Sequence, residues 1–237
     1  MNNKIAIVTG GGRGIGRAIC LRLGQAGMHV IAAARTQAEI DEVAAEIVRA
    51  GGKAAAIALD LTSEESIVEL FRQVRERFGR LDVLVNNAGI GLYGQVAEFT
   101  AEAFDKVLSV NLRGAFICCR EAMRMMIPQR SGCIINVSSV VGIKGYPNQA
   151  AYTASKHGMV GLTKSLAAEA QPHGVRVSVV LPGGVDTDMV AKARPDLDRS
   201  VLLQPDDVAD VVMFLLSLSD RAAIDEIYLR RRASQPF

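Results

Sequence analysis

Residues 4–26 read KIAIVTGGGRGIGRAICLRLGQA, and this stretch decides the fold. A short apolar run typical of a buried strand leads into five glycines within residues 10–16, and a segment with helical apolar spacing follows. Such glycines let the backbone turn sharply and bring its N–H groups, and the positive end of the next helix, against a phosphate. The spacing departs from G-x-G-x-x-G, and no Lys-Ser or Lys-Thr pair marks a P-loop. The order of strand, glycine loop and helix therefore predicts a dinucleotide site.

The same alternation of strand and helix continues along the chain. The candidate strands are 4–9, 28–34, 53–59, 81–86, 133–138, 175–181 and 226–230, and the candidate helices are 15–26, 37–50, 63–78, 101–128, 151–171 and 206–218. Continuous rather than alternating apolar strands indicate a parallel sheet covered on both faces. We therefore predict a doubly wound α/β fold, with a mostly parallel seven-stranded sheet, as a single domain over 1–237. Residues 188–204 are the least periodic and most charged, and are predicted to form a substrate flap.

The composition excludes several classes of protein. With 27 Lys and Arg against 25 Asp and Glu, the net charge of +2 provides no broad basic field, which argues against nucleic-acid and membrane partners. The Arg230–Arg232 cluster is expected to be a solvated tail. The sequence contains no run of 18 apolar residues, so no membrane span is predicted. The cysteines lie in apolar runs without CxxC or histidine pairs, which predicts buried reduced thiols, no metal and a cytoplasmic location; they are Cys20, Cys118, Cys119 and Cys133.

Polar and turn-forming residues follow six predicted strands. In an open parallel sheet, ligands bind beyond the carboxyl ends of the strands, where the strand order reverses. The residues at these ends are Thr9–Gly16, Arg35, Asp60, Asn86–Gly89, Ser138–Ser139 and Pro182–Gly184. We therefore expect the site to be built from these loops.

The end of the second strand indicates which dinucleotide binds. A free ribose 2′-hydroxyl is usually held by an acid about 20 residues beyond the glycines, whereas Arg accommodates a 2′-phosphate. Arg35 stands at this position, Arg13 supplies a second cation, and the first acid, Glu39, falls inside the next helix. NADP(H) is therefore favoured over NAD(H).

Tyr152 and Lys156 are four residues apart in a helical stretch, so both side chains project from one face. A phenol has an ordinary pKa near 10, and a neighbouring ammonium favours its phenolate form, which suits proton transfer. Ser139 follows the neighbouring strand and is expected to stabilise charge on a substrate carbonyl oxygen. In isolation, a Tyr-x-x-x-Lys pair would be no more than a helix-surface feature.

The motifs together resemble the short-chain dehydrogenase/reductase family. They cover residues 4 to about 218 and occur in the family's order: Thr9-Gly10-xxx-Gly14-Ile15-Gly16, Asn86-Asn87-Ala88-Gly89, Asn111, Ser139, Tyr152-xxx-Lys156 and Pro182-Gly183. The resemblance implies a Rossmann-like domain and a nicotinamide cofactor. Within the family, the pattern is most similar to that of 3-oxoacyl-[acyl-carrier-protein] reductases.

Roles carried over by position follow from this resemblance. The resemblance implies that Tyr152 is the acid in reduction and the base in oxidation. Lys156 is implied to lower the pKa of Tyr152 and to hold the nicotinamide ribose. Ser139 is implied to polarise the carbonyl, and Asn111 is implied to anchor a water of the proton relay. Asn111 and Gly114 are also poor mid-helix residues, which predicts a distortion there. The implied cofactor contacts are Gly10, Gly12, Arg13, Gly14, Ile15, Gly16, Arg35, Asp60, Leu61, Asn87, Ala88, Gly89, Tyr152, Lys156, Pro182, Gly183, Val185 and Thr187.

Three points stay open at this level. Asp60 could equally serve the entry to the next helix. The segment Asp225–Phe237 lacks the Asp-Gly-Gly turn that many family members carry near this place, which affects substrate and oligomer type. The resemblance implies a homodimer or homotetramer through helices 101–128 and 151–171, with a small carbonyl, alcohol or acyl-thioester substrate. The alternatives are an NAD-dependent alcohol dehydrogenase of the same fold and a non-catalytic NADP-binding scaffold or sensor.

Overall fold

The computed structural model describes residues 1–193 and 198–235, in which seven parallel strands form one sheet in the order β3-β2-β1-β4-β5-β6-β7. The strands are β1 (Ile5–Thr9), β2 (His29–Ala34), β3 (Lys53–Ala58), β4 (Val83–Asn86), β5 (Gly132–Val137), β6 (Val175–Pro182) and β7 (Glu226–Leu229). The helices are α1 (Gly14–Gln25), α2 (Gln37–Arg49), α3 (Glu64–Phe78), α4 (Ala101–Leu108), α5 (Gly114–Gln129), α6 (Ala150–Ala170), α7 (Asp188–Ala193) and α8 (Pro205–Ser217). The predicted α/β class is confirmed, and every strand pairing described is parallel.

Alternate residues of β1 point to opposite faces of the sheet, and each face is covered by helices. Ile7 lies in a buried cluster with Phe71 of α3. Its neighbour Val8 lies in a second cluster with Ile19 of α1 and Val212 of α8. Because β1 is buried on both sides, it reads as a continuous apolar run in the sequence.

The predicted helix 101–128 is interrupted at the place where the sequence indicates a distortion. Ser109–Arg113 form a π-helical turn between α4 and α5, in which the N–H of Gly114 bonds to the carbonyl of Ser109. A Cβ at Gly114 would lie 2.7 Å from the carbonyl oxygen of Leu61. The glycine thus allows α5 to pack directly on the loop that follows β3.

The N-termini of α3 and α8 can be compared with the capping signals in the sequence. The sequence suggests a capping box from Thr62 and Glu65, but the N-cap residue of α3 is Ser63, whose Oγ accepts the N–H of Ser66 at 3.1 Å. Thr62 instead donates its hydroxyl to Asp60. The expected acidic first turn of α8 is present, and its Asp207 accepts the N–H of Gln204 at 2.7 Å.

The cysteines are part of the buried core. All four cysteines are free and buried, and burial raises the pKa of Cys119 to about 12 and that of Cys133 to about 11. Among the described residues, no cluster of three or more His, Cys, Asp or Glu stands ready to bind a metal ion. Nor does any helix in this part of the chain combine the length and apolar character needed to cross a membrane.

Replacing Gly114 by Ala should destabilise the protein by about 1–3 kcal/mol, because the added methyl meets a main-chain oxygen that cannot move cheaply. Gly145→Ala is the matched control, since nothing lies within 4 Å of a Cβ there. It should change stability by less than about 0.5 kcal/mol. Denaturant unfolding of both variants measures the difference, and equal effects would contradict the close packing at Gly114.

Candidate active site

The candidate site lies where the sheet changes direction. The chain runs outward from β1 through β2 and β3, then crosses to β4 on the other side of β1 and continues to β7. The carboxyl ends of β1 and β4 are therefore neighbours whose following loops diverge, which opens a crevice. The predicted site residues follow β1 to β6, so the structure gathers most of them at this edge.

The glycine loop fits the pyrophosphate of a dinucleotide. A Cβ at Gly16 would overlap the carbonyl oxygen of Gly10, so the loop closes only with glycine there. The first turn of α1, which begins at Gly14 and includes Ile15, holds no acidic residue, and in the described structure the Arg13 side chain makes no capping bond. The first N–H groups and the positive end of α1 are thus left for an anion.

A hydrogen-bonded tie joins this loop to the end of β4. The Oγ1 of Thr9 accepts the N–H groups of Asn87 and Ala88, each at 3.1 Å. The side-chain amide of Asn87 in turn donates to the carbonyl of Thr9 at 3.0 Å. Thr9 is 1% exposed, so these bonds form away from water. The tie fixes the two walls of the crevice at their closest approach.

The two predicted phosphate-binding arginines border the ends of β1 and β2. The N–H of Gly11 donates to the carbonyl of Ala33 at 3.3 Å and so holds the glycine loop against β2, which Arg35 follows. Arg35 is exposed and has no ion-pair partner among the described residues. Arg13 is also exposed, with Glu39 at 4.0 Å and Asp188 at 3.7 Å. Glu39 lies in α2, as the sequence predicts, and its carboxylate reaches the glycine loop beside Arg13.

Asp60 and Leu61 follow β3 and are largely occupied by the fold. The Oδ1 of Asp60 accepts the N–H and the hydroxyl of Thr62 at 2.9 and 2.8 Å. These two bonds are the main reason that the pKa of Asp60 lies below its ordinary value. Asp60 therefore serves the entry to α3, which is the alternative role that the sequence leaves open for it. Leu61 is 6% exposed, so its side chain belongs to the core.

Ser139, Tyr152 and Lys156 come together between β5 and α6. Ser139 caps the short turn Val140–Gly142, with its Oγ accepting the N–H of Val141 at 3.3 Å, and it lies close enough to Tyr152 to lower the pKa of that phenol. Lys156 is 3% exposed, and its Nζ lies 5.7 Å from the centre of the Tyr152 ring. The preceding Ser138 is buried and donates to the carbonyl of Lys156. The hydroxyl of Ser138 is thus occupied by the fold, and Ser139 is the serine beside Tyr152.

Burial dominates the proton affinities of this group. It raises the pKa of the Tyr152 phenol, Tyr93 adds to the increase, and the neighbouring Ser139 acts in the opposite direction. Burial also lowers the pKa of Lys156 to about 8. The ammonium of Lys156 donates to the carbonyl of Val137 at 3.0 Å, and burial outweighs any lowering of the Tyr152 pKa by its charge.

Asn111 connects the loop after β4 to α6. Its Oδ1 accepts the N–H of Ile90 at 2.8 Å, and its Nδ2 donates to the carbonyl of Ile90 at 2.9 Å and to the Oγ of Ser155 at 3.1 Å. Ser155 donates to the carbonyl of Tyr152 at 2.7 Å. The side-chain amide of Asn111 is therefore already paired within the fold, and its predicted contact with a water stays a prediction. Ser155 was not identified from the sequence, since its partners are distant along the chain.

The remaining predicted cofactor residues line the crevice from β4 to β6. A Cβ at Gly89 would lie 3.6 Å from the Nζ of Lys156. On the other side, Thr187 lies over Gly14, where a Cβ would approach its Cγ2 to 3.2 Å. The segment that leads to Thr187 contains Pro182, the last residue of β6, then Gly183, which donates its N–H to the carbonyl of Leu229, and Val185, which pairs with Leu203.

The predicted flap 188–204 is described only in part. Its first six residues form α7, and Arg199–Val201 form a short 3₁₀ turn, while residues 194–197 lie outside the described residues. The arginine-rich tail folds back on itself, since the Nη1 of Arg230 donates to the carbonyl of Ser234 at 2.7 Å. Both segments border the loop after β6.

Tyr93 was not singled out from the sequence. Its ring meets that of Tyr152 edge to face, with centres 5.9 Å apart. Beside it lies an open pocket of about 430 Å³, and the N–H of Gly94 donates to the carbonyl of Asn148 across it at 2.9 Å. The polar side chains lining this pocket are Tyr93, Gln95, Glu98, Asn148 and Gln149.

Comparison with known proteins gives consistent matches. A family model described as short chain dehydrogenase matches residues 4–198. A 3-oxoacyl-[acyl-carrier-protein] reductase of Synechocystis sp. is 39% identical over 90% of this chain and 88% of its own length. A 3beta-hydroxysteroid dehydrogenase of Mediterraneibacter gnavus is also 39% identical, over 83% of this chain and 71% of its own. The crystal structure of a metagenomic short-chain oxidoreductase in complex with NADP is 38% identical, with a TM-score of 0.88 over 98% of this chain and 99% of that chain.

Thr9→Val should destabilise the protein by about 1–3 kcal/mol, because a methyl group would leave the N–H groups of Asn87 and Ala88 unpaired in a buried place. It should also weaken cofactor binding, since the glycine loop loses its anchor. Thr9→Ser keeps the hydroxyl and should lose much less of both. Urea unfolding and cofactor titration measure the two effects, and equal losses in the two variants would contradict a role for the hydroxyl.

Lys156 should give the stability a distinct pH dependence. Below pH 8, this lysine is protonated in both states, and the folded state carries the cost of its burial. As the pH rises above 8, the folded protein loses this proton while the unfolded chain keeps it up to its ordinary pKa of 10.5. Relative to Lys156→Met, the wild type should therefore gain about 2 kcal/mol between pH 8 and pH 10.

The comparison with Lys156→Met isolates this group, because the buried thiols and Tyr152 titrate in both proteins. Urea unfolding at several pH values provides the measurement. A constant difference between the two proteins would mean that Lys156 keeps its ordinary pKa.

Proposed function

The chain belongs to the short-chain dehydrogenase family, and on that premise we propose that it transfers a hydride between NADP(H) and a carbonyl compound or secondary alcohol. The arrangement of Tyr152 supports this proposal most directly. Its phenol lies beside Ser139 and the buried Lys156, at the end of the crevice that begins with the glycine loop. A proton donor, an oxygen-polarising hydroxyl and a cation thus meet at one point.

In the reductive direction, the bound nicotinamide supplies the hydride to the carbonyl carbon. Ser139 donates a hydrogen bond to the carbonyl oxygen as negative charge builds on it. Tyr152, whose pKa is raised by burial, is protonated at neutral pH and gives its proton to that oxygen. Lys156 stabilises the phenolate that is left, because an adjacent ammonium favours the charged form. In oxidation, Tyr152 acts as the base.

NADP(H) is the proposed cofactor because of the charges near the ends of β1 and β2. Arg13 and Arg35 stand where a 2′-phosphate needs cations, and Arg35 has no competing ion pair in the described part of the chain. A similar oxidoreductase binds NADP in its crystal structure. Glu39 beside Arg13 is the specific observation that keeps NAD(H) as the second candidate.

The proposed substrate to test first is a 3-oxoacyl thioester. The 3-oxoacyl reductase and the steroid dehydrogenase are equally identical to this chain, so their names do not choose between the two substrates. The open pocket beside Tyr93 offers amide, carboxylate and hydroxyl groups. Such a lining suits the amides and hydroxyl of a pantetheine arm better than the apolar rings of a steroid.

We further propose a single domain that assembles as a homodimer or homotetramer. Exposed aromatic side chains on the predicted helical interface support this assembly: Phe104 on α4 is 39% exposed and Phe116 on α5 is 50% exposed. The cytoplasmic location predicted from the sequence belongs to the same proposal.

Tyr152→Phe should lower turnover by about 10²–10⁴-fold, because the phenyl ring has no proton to give. NADPH binding, followed by fluorescence, should stay within about twofold, since the general-acid step plays no part in it. Tyr146→Phe, a change to an exposed tyrosine of the neighbouring loop, is the matched control and should keep its turnover. The assay follows NADPH consumption with a panel of carbonyl compounds that includes 3-oxoacyl thioesters.

Each outcome of this experiment is informative. Retained turnover in Tyr152→Phe would remove Tyr152 from the proposed mechanism. NADPH binding by the wild type without turnover of any substrate in the panel would favour the non-catalytic NADP-binding protein.

A further inference from the structure

Glu39 lies against the glycine loop although it belongs to α2. It stands in the first turn of that helix, and a Cβ at Gly12 would lie 2.8 Å from its Cβ and 3.0 Å from its Oε2. Its Oε1 is 4.0 Å from the Nη1 of Arg13. The carboxylate therefore occupies the space directly beside the loop and its cation.

The position of this carboxylate relative to a dinucleotide follows from the sheet. The glycine loop is held to the end of β2 by the bond between Gly11 and Ala33, and Arg35 follows two residues later. Arg13 and Glu39 thus border the corner between the ends of β1 and β2, and Arg35 follows β2 with its charge also acting on Asp60. In doubly wound folds, this corner receives the adenosine ribose and whatever its 2′-position carries.

We propose that Glu39 is a selectivity residue that limits the preference of this protein for NADP(H). Its negative charge repels a 2′-phosphate and competes with it for Arg13. The same carboxylate can accept a hydrogen bond from the free 2′-hydroxyl of NAD(H). The inference rests on the proposed function, in which this corner holds the adenosine ribose.

Two acids contact Arg13, and they differ in position. Asp188 of α7 lies 3.7 Å from its Nη1, so Arg13 keeps one acidic partner when Glu39 is replaced. Glu39, however, also touches Gly12, whereas Asp188 approaches from the segment after β6. The carboxylate of Glu39 is therefore the one placed on the side of β2 and Arg35.

A first-turn acid can also serve the helix alone, because it is attracted to the positive end of the helix. That role would change the stability of the protein and would leave the choice between the two cofactors unchanged. The ratio of the two dissociation constants therefore separates a selectivity role from a purely structural one.

The test titrates wild type, Glu39→Gln and Glu42→Gln with NADPH and with NADH, and follows cofactor fluorescence. Glu42 is exposed on the same helix, one turn further from the loop, so its replacement removes the same charge at a greater distance. In Glu39→Gln, the preference for NADPH over NADH should rise about three- to tenfold. In Glu42→Gln it should stay near the wild-type value, and Glu39→Asp, which keeps the charge, should do so as well.

Raising the salt concentration to about 0.5 M should shrink the gain in Glu39→Gln, since exposed charges are screened there. The proposal is overturned if Glu39→Gln and Glu42→Gln show the same cofactor ratio at low salt. Tighter binding of NADH than of NADPH by the wild type would instead contradict the NADP(H) preference under the proposed function. A failure of the selectivity proposal is therefore seen in the comparison of the two variants, whereas a failure of the proposed NADP(H) preference is seen in the wild type alone.

Discussion

The buried hydroxyl of Thr9 holds together the two strand ends from which the crevice opens. It accepts the N–H of Ala88. Two residues later, the N–H of Ile90 donates to the side-chain oxygen of Asn111. Asn111 also reaches α6 near Tyr152 through one serine hydroxyl. Hydrogen bonds and the short segment from Ala88 to Ile90 therefore connect the glycine loop to the main chain of Tyr152, the candidate proton donor.

Much of the fold could be predicted because its signals are local. The apolar runs mark all seven strands to within about two residues, and the distortion at Asn111 appears as the π-helical turn at 109–113. The N-cap of α3 is misplaced by one residue, because both Thr62 and Ser63 are good caps and only the turn at Asp60 decides between them. That choice depends on three-dimensional context.

The candidate site could be predicted as residue types at strand ends, but not as an arrangement of charges. The spacing of Tyr152 and Lys156 places them on one helix face, yet it says nothing of the burial that raises one pKa and lowers the other. Glu39 is a similar case, since its distance along the chain from the glycine loop hides their contact in space. Burial and long-range packing are properties of the whole fold, which no motif encodes.

The bond between Gly94 and Asn148 joins the two loops that frame the open pocket beside Tyr93. Asn148 adopts a left-handed backbone conformation, with φ of 64°, and its carbonyl is the group that the N–H of Gly94 meets. The loops after β4 and β5 therefore form one unit, although 53 residues separate the two bonded positions. A change in the shape of one loop is therefore expected to move the other, so an exchange of these loops between relatives is best made as a pair.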